Sequence, residues 1–159
     1  MSFASHFLTF VVGGSFGAFM LSGTPPPEPK APPPAMVSDS VDTVLTRHDN
    51  GHFFVDAMVN GQLVHFVVDT GASGVALTVA DAVRVGLEVN PEKFEVVGMG
   101  ASGPVRGTRV VLNSVAIGNK EASGVGGAIL EGSDISLLGQ SFLSRIGSVR
   151  IVEDKMILR

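Results

Sequence analysis

Three apolar residues, Phe66-Val67-Val68, run directly into Asp69-Thr70-Gly71-Ala72-Ser73. The apolar run reads as the end of a buried strand. A chain leaving such a strand normally places its first charge in water, whereas Asp69 sits where the backbone is still emerging from a core. Gly71 lets the chain turn sharply with no Cβ in the way. A carboxylate held on a tight loop at the end of a packed strand needs partners or a task. The task that suits it is general acid or base chemistry. The plain alternative is a turn, because Asp and Gly both favour turns and the tripeptide by itself says no more.

The elements around this loop read as strands. Residues 41–46 alternate weakly and form a first strand, with Asn50-Gly51 as a hairpin turn. Residues 52–59 form a second strand, Asn60-Gly61 a second hairpin turn, and residues 62–68 the strand that delivers Asp69. Two Asn-Gly turns flanking one apolar strand predict an antiparallel meander. Thr78-Val79-Ala80-Asp81 has the look of a capping box and predicts a short helix over 79–85, ended by Gly86. Residues 94–97 and 105–112 read as strands joined by Gly98-Met99-Gly100-Ala101-Ser102-Gly103-Pro104, a flexible, uncharged hairpin tip. Further short strands fall at 115–118 and 125–130. Leu137-Leu138-Gly139 reads as a core strand leading into a short helix over 140–146, and 149–152 with 155–158 closes the chain as a hairpin. Many short strands and little helix predict an all-β, barrel-like fold.

The chain has 159 residues and a net charge of −4, so it carries no footprint of a nucleic-acid binder. Without cysteine it has neither a disulfide frame nor a thiolate metal site. Four histidines (His6, His48, His52, His65) are present, and neither a metal nor a cofactor is expected. Residues 1–23 contain an apolar stretch just long enough to cross a bilayer, which reads as an uncleaved membrane anchor. No Lys or Arg precedes it, and a signal-peptidase site fits poorly before Pro25. Residues 24–40 hold a Pro-rich segment whose extended conformation makes a semi-rigid spacer. Residues 41–159 are the folded domain.

The combination of Val67-Val68-Asp69-Thr70-Gly71-Ala72-Ser73 with Leu137-Leu138-Gly139-Gln140-Ser141-Phe142-Leu143 resembles the retropepsin-like aspartic proteases. The resemblance covers roughly residues 47 to 159 and is nearest the single-lobed, membrane-anchored bacterial branch. It implies a closed acid-protease barrel with a flap and one or two short helices, and an aspartic endopeptidase activity with Asp69 as the catalytic residue. In that pattern Gly98, Met99, Gly100, Ala101, Ser102 and Gly103 are the flap that closes over peptide. Leu137, Leu138 and Gly139 support the catalytic loop. The Thr70 hydroxyl would brace two such loops across a two-fold axis, and Gly71 would let its N–H approach the carboxylate.

Hydrolysis without a metal or a covalent intermediate needs a base to activate water and an acid to polarise the scissile carbonyl. Two adjacent carboxylates sharing one proton supply both. This chain has a single Asp-Thr-Gly; Asp56, Asp81 and Asp134 lack a following Gly at the same offset. The second carboxylate is therefore expected from Asp69 of a second copy, in a homodimer. Ala72 offers no hydroxyl donor to the carboxylate, so activity is expected at a less acidic pH than in two-lobed relatives. The expected partners are a second copy of the chain, a protein or peptide substrate, and the bacterial inner membrane, with the domain in the periplasm. Two other readings stay open on sequence: a non-catalytic dimeric peptide-binding module of the same fold, and a secreted structural β domain.

Overall fold

The computed structural model describes residues 41–159 apart from Ala101. The expected anchor (1–23) and linker (24–40) lie outside the described residues. Among those residues no helix is long and apolar enough to cross a membrane. The strands are β1 (Thr43–Thr46), β2 (Phe54–Val59), β3 (Gln62–Val68), β4 (Val75–Thr78), β5 (Glu95–Gly100), β6 (Gly103–Ile117), β7 (Lys120–Leu130), β8 (Ser136–Leu138), β9 (Val149–Val152) and β10 (Lys155–Leu158). Two short helices, α1 (Val79–Arg84) and α2 (Gln140–Leu143), complete the set together with one 3₁₀ turn.

Six strands close into a ring. β2 pairs with β3, β3 with β8, β8 with β4, β4 with β7 and β7 with β6; β6 returns to β2 through Met58↔Ala116 and Val59↔Val115. Closure removes most of the edges that an open sheet would expose. The ring is filled by residues of one strand face. Val55, Ala57 and Val59 of β2 and Val64, Phe66 and Val68 of β3 are buried, while Asp56, Met58, Leu63 and His65 between them face outward. Leu112, Val115, Val125, Ile129, Leu138 and Phe142 fill the rest of the interior and have no exposed surface. Each such side chain contributes about 1.5–3 kcal/mol over leaving it in water.

Local chemistry sets the corners. Asn60 and Gly61 both take positive φ (49° and 82°), as the tight hairpin between β2 and β3 requires. The Asn60 side-chain carbonyl also accepts from the N–H groups of Asn113 and Ser114, tying this turn to β6. Thr78 caps α1, its hydroxyl oxygen accepting from the Asp81 N–H, and Gly86 ends it at φ 80°. The Asp81 carboxylate accepts from the Ser136 hydroxyl at 2.6 Å, which fastens α1 to β8.

Four expectations are corrected. β1 does not continue the meander. It pairs with β10 in a separate sheet ordered β1-β10-β9, and the chain meets the approach to β2 only through the isolated bridge Arg47↔Phe53 beyond its end. One edge of β2 is taken by β3 and part of the other by β6, while β10 offers β1 a full four-residue register. The strands expected at 94–97 and 105–112 run further, so the tip pairs as Gly98↔Val105, Met99↔Pro104 and Gly100↔Gly103. A register shift between Val96 and Gly98 interrupts the ladder of this hairpin. The strands expected at 105–112 and 115–118 are one strand, β6, because β7 pairs with it almost without break from Gly107 to Ile117. α2 stops at Leu143 and does not reach Ile146.

The chain ends of the domain are clipped together. Asp42 accepts from Arg159 Nε and Nη2 at 3.1 and 2.9 Å. These hydrogen bonds, with the charge beside them, hold the Asp42 carboxyl below its ordinary value. A carboxyl lowered in the folded state adds stability above its unfolded pKa and loses it as pH falls through the folded one. Asp42→Asn should therefore melt slightly below the parent at neutral pH. The difference should close in acid, below the ordinary carboxylate range. Melting curves of both proteins across that range check this, and a gap that widened on acidification would contradict it.

Candidate active site

Asp69 is the residue that follows β3, half-buried where the strand leaves the ring. Its N–H donates to Leu138 O at 3.1 Å, continuing the parallel pairing of β3 with β8 (Phe66↔Ser136, Val67↔Leu137, Val68↔Leu138). The loop then turns on itself: the Ala72 N–H donates to Asp69 O, and the Gly71 N–H donates to Asp69 Oδ1 at 2.9 Å. That last bond fixes the carboxylate's rotation. A Cβ on Gly71 would lie 3.3 Å from the same oxygen, so glycine leaves the approach open.

The segment after β8 holds the rest of the loop. The Gln140 N–H donates to Ala72 O at 2.8 Å and the Ser141 N–H to Ser73 O at 3.0 Å. Gln140 Nε2 donates to Thr70 O at 2.9 Å. The Ser141 hydroxyl accepts from the Val75 N–H at 3.0 Å and donates to Gly126 O at 2.6 Å, joining the loop to β7. These bonds demand close backbone approach. A Cβ on Gly139 would fall 2.2 Å from Gly74 O and 2.6 Å from Ala72 O. One on Gly127 would fall 2.6 Å from Val75 O.

The carboxylate opens on a cleft of about 940 Å³. Its floor includes Asp69, Gly71, Ala72, Ser73 and Leu137. Val97, Gly98, Met99 and Gly100 of the β5–β6 hairpin form the opposite wall. Met99, an apolar side chain near the hairpin tip, is 76 % exposed. Among the described residues there is no cluster of side chains that could hold a metal ion.

The structure thus brings together Asp69, Gly71, Ala72 and Ser73 with Gly98, Met99 and Gly100 around one cleft, and sets Leu137, Leu138 and Gly139 against the loop. Thr70 is exposed and meets its neighbours in the chain through its backbone carbonyl. Ser102 and Gly103 turn the hairpin tip without lining the cleft, and Ala101 lies outside the described residues. Sequence reasoning missed Gln140, Ser141, Gly126 and Gly127. Gln140 and Ser141 stand within the motif that carries the resemblance, but as a polar pair after Gly139 they read as the start of an ordinary helix.

Ser141→Ala should leave the Val75 N–H without its acceptor and lower stability by about 1–3 kcal/mol. Urea denaturation at one fixed protein concentration measures it. Gly139→Ala should be far more severe, because backbone atoms and not flexible side chains stand in the way. It should lose cooperative unfolding, and a Gly139→Ala protein as stable as the parent would show that the loop does not need this approach.

Residues 55–145, more than half of the chain, match the family described as "gag-polyprotein putative aspartyl protease". The chain is similar to "Uncharacterized protein RP867" of Rickettsia prowazekii (strain Madrid E), 39% identical over 117 residues that cover 74% of this chain and 51% of that protein. It is also similar to "Uncharacterized protein in cobV 5'region" of Sinorhizobium sp, 37% identical over 120 residues covering 74% and 52%. The chain therefore spans about half the length of the curated relatives it matches. The crystal structure of a retropepsin-like aspartic protease from Rickettsia conorii superposes with TM-score 0.61 at 37% identity, covering 74% of this chain and 88% of that one. The EIAV protease complexed with the inhibitor HBY-793 shares the fold, with TM-score 0.51 at 16% identity over 62% of this chain and 91% of its own. By the family match and by its identity to a solved member across most of that member's length, the chain belongs to the retropepsin-like aspartic proteases.

Proposed function

We propose that the protein is an aspartic endopeptidase that acts as a homodimer, with Asp69 of each copy forming a single catalytic pair. The observation that carries this is the Asp69 loop itself. One carboxylate is oriented by the Gly71 N–H, pinned from behind by β8 and α2, and opened on a cleft walled by a hairpin. Such rigidity suits a group that must meet its reacting atoms in one geometry.

In the proposed reaction a water molecule sits between the two carboxylates. The ionised one takes a proton from the water, and the water oxygen attacks the scissile carbonyl carbon. The protonated one donates to the carbonyl oxygen, giving a neutral tetrahedral diol. Proton transfer to the amide nitrogen then lets the C–N bond break, leaving a carboxyl and an amine. The pair finishes with one shared proton and is ready to repeat. The hairpin bearing Met99 would cover the bound peptide and keep bulk water out. The exposed Thr70 would meet its counterpart across the two-fold axis. We further propose that residues 1–23 anchor the domain in the bacterial inner membrane and that residues 24–40 hold it off the surface on the periplasmic side. The apolar and Pro-rich compositions of those segments support this.

Asp69→Asn keeps the acceptor oxygen for the Gly71 N–H but cannot act as acid or base. It should fold and melt like the parent and lose peptidase activity on a mixed peptide library. Activity that survived in the folded variant would sink the assignment of Asp69 as the catalytic group. A second consequence follows from half a site per chain. Specific activity of the parent should fall on dilution, in step with dissociation measured by sedimentation. A monomer that is active by the same measurement would overturn the homodimer.

A further inference from the structure

We infer that the cleft selects peptides with an acidic side chain two to four residues from the scissile bond, and that Arg109 reads it. The inference rests on the endopeptidase function proposed above and names the substrate class of that same site.

Of the described residues lining the cleft, only Asp69 and Arg109 carry charge. Arg109 on β6 stands opposite Ala128 on β7, Ala128 opposite Ala76 on β4, and Ala76 opposite Leu137 on β8. Residues opposite one another in a ladder point to one face of the sheet, and all four line the cleft. The two alanines project a single methyl group each, leaving room for a substrate side chain between Arg109 and Leu137.

The guanidinium is oriented but not neutralised. Arg109 Nη2 donates to Val97 O at 2.8 Å, at the base of the hairpin that walls the cleft. That bond leaves the other N–H groups of the fork free to donate. Among the described residues no carboxylate forms an ion pair with it. Arg106, three residues earlier on β6, is different: it pairs with Glu131 at 3.2 Å and donates to Phe94 O. A guanidinium fixed on one side presents a planar set of donors that matches a carboxylate. In a cleft otherwise apolar on that side, no carboxylate of the described residues competes for it.

The distance sets the position. Neighbouring strands lie about 4.8 Å apart, so Arg109 stands three spacings, about 14 Å, from Leu137, and β3 with Asp69 is one spacing further. The curvature of the barrel reduces this, as does the hairpin to which Arg109 Nη2 is bonded, since it lines the same cleft. What remains is about two to four residues of extended peptide at about 3.3 Å each.

The test uses peptide pairs that differ only by Glu or Gln, placed in turn at each position flanking the scissile bond. Two readouts are taken: kcat/KM with the parent chain, and affinity for the Asp69→Asn chain by fluorescence anisotropy. At one position two to four residues away, Glu should be favoured over Gln by about three- to tenfold in both, with the preference shrinking at high salt. Arg109→Gln should erase that ratio, Arg109→Lys should retain most of it, and Arg109→Glu should turn it toward Lys-containing peptides. A merely structural role at the hairpin base would change rates without changing the ratio. Equal treatment of Glu and Gln at every position, or an acid preference that survives in Arg109→Gln, would overturn the inference. If cleavage depends on Asp69 and the ratio is flat, the inference alone falls. If the affinity ratio appears but the parent cleaves nothing, Arg109 reads the peptide as inferred and the endopeptidase function falls.

Discussion

Everything at the site depends on how closely two backbone segments pass each other. The carbonyls of Ala72 and Gly74 lie so near the Cα of Gly139 that no side chain fits there. That approach lets Gln140 and Ser141 donate their N–H groups to the carbonyls of Ala72 and Ser73. In a loop that would otherwise present unpaired polar groups at the end of a core strand, the carbonyls of Thr70, Ala72 and Ser73 are thereby paired. The Asp69 carboxylate inherits its orientation from this frame. Its rotation is fixed by one N–H, its backbone by β8, and its following turn by the start of α2.

The same economy shapes the cleft. Small residues predominate where strands and loop meet: Gly74, Ala76, Gly126, Gly127 and Ala128 line it together. They bring β4 and β7 close beneath the loop and leave a trough above them that an extended chain can occupy. Charge is confined to its two sides, with the carboxylate where β3 ends and one guanidinium at the base of the hairpin wall.

Much of this was legible in the sequence because it follows from short-range rules. The Asn60-Gly61 hairpin, the Thr78 cap and the inward alternation of β2 and β3 are written in residue type and period. So is the arrival of Asp69 at the end of a buried run. The elements that escaped are those fixed by distant partners. β1 leaves the meander because β10, more than a hundred residues away, offers it a better register. The hairpin tip reads as a loop because glycine and alanine signal turns, yet β6 is long enough to pair with it nearly to the end. Gln140 and Ser141 look like helix residues and are loop supports, since their role depends on carbonyls that the chain passed some seventy residues earlier. Arg109 gives no signal at all: a lone arginine in a strand becomes noteworthy only when the ladder sets it beside two alanines in the cleft.

The central claim is that each active site needs a carboxylate from both chains. Mixing subunits tests it without reference to any particular substrate. Parent and Asp69→Asn chains are combined at a fixed total concentration, exchanged to equilibrium, and assayed across a series of mixing ratios. If one site uses two Asp69 side chains, only parent–parent pairs cut, and activity falls as the square of the parent fraction. Activity that falls in simple proportion to the parent fraction would mean that each chain works by itself, and would contradict the account.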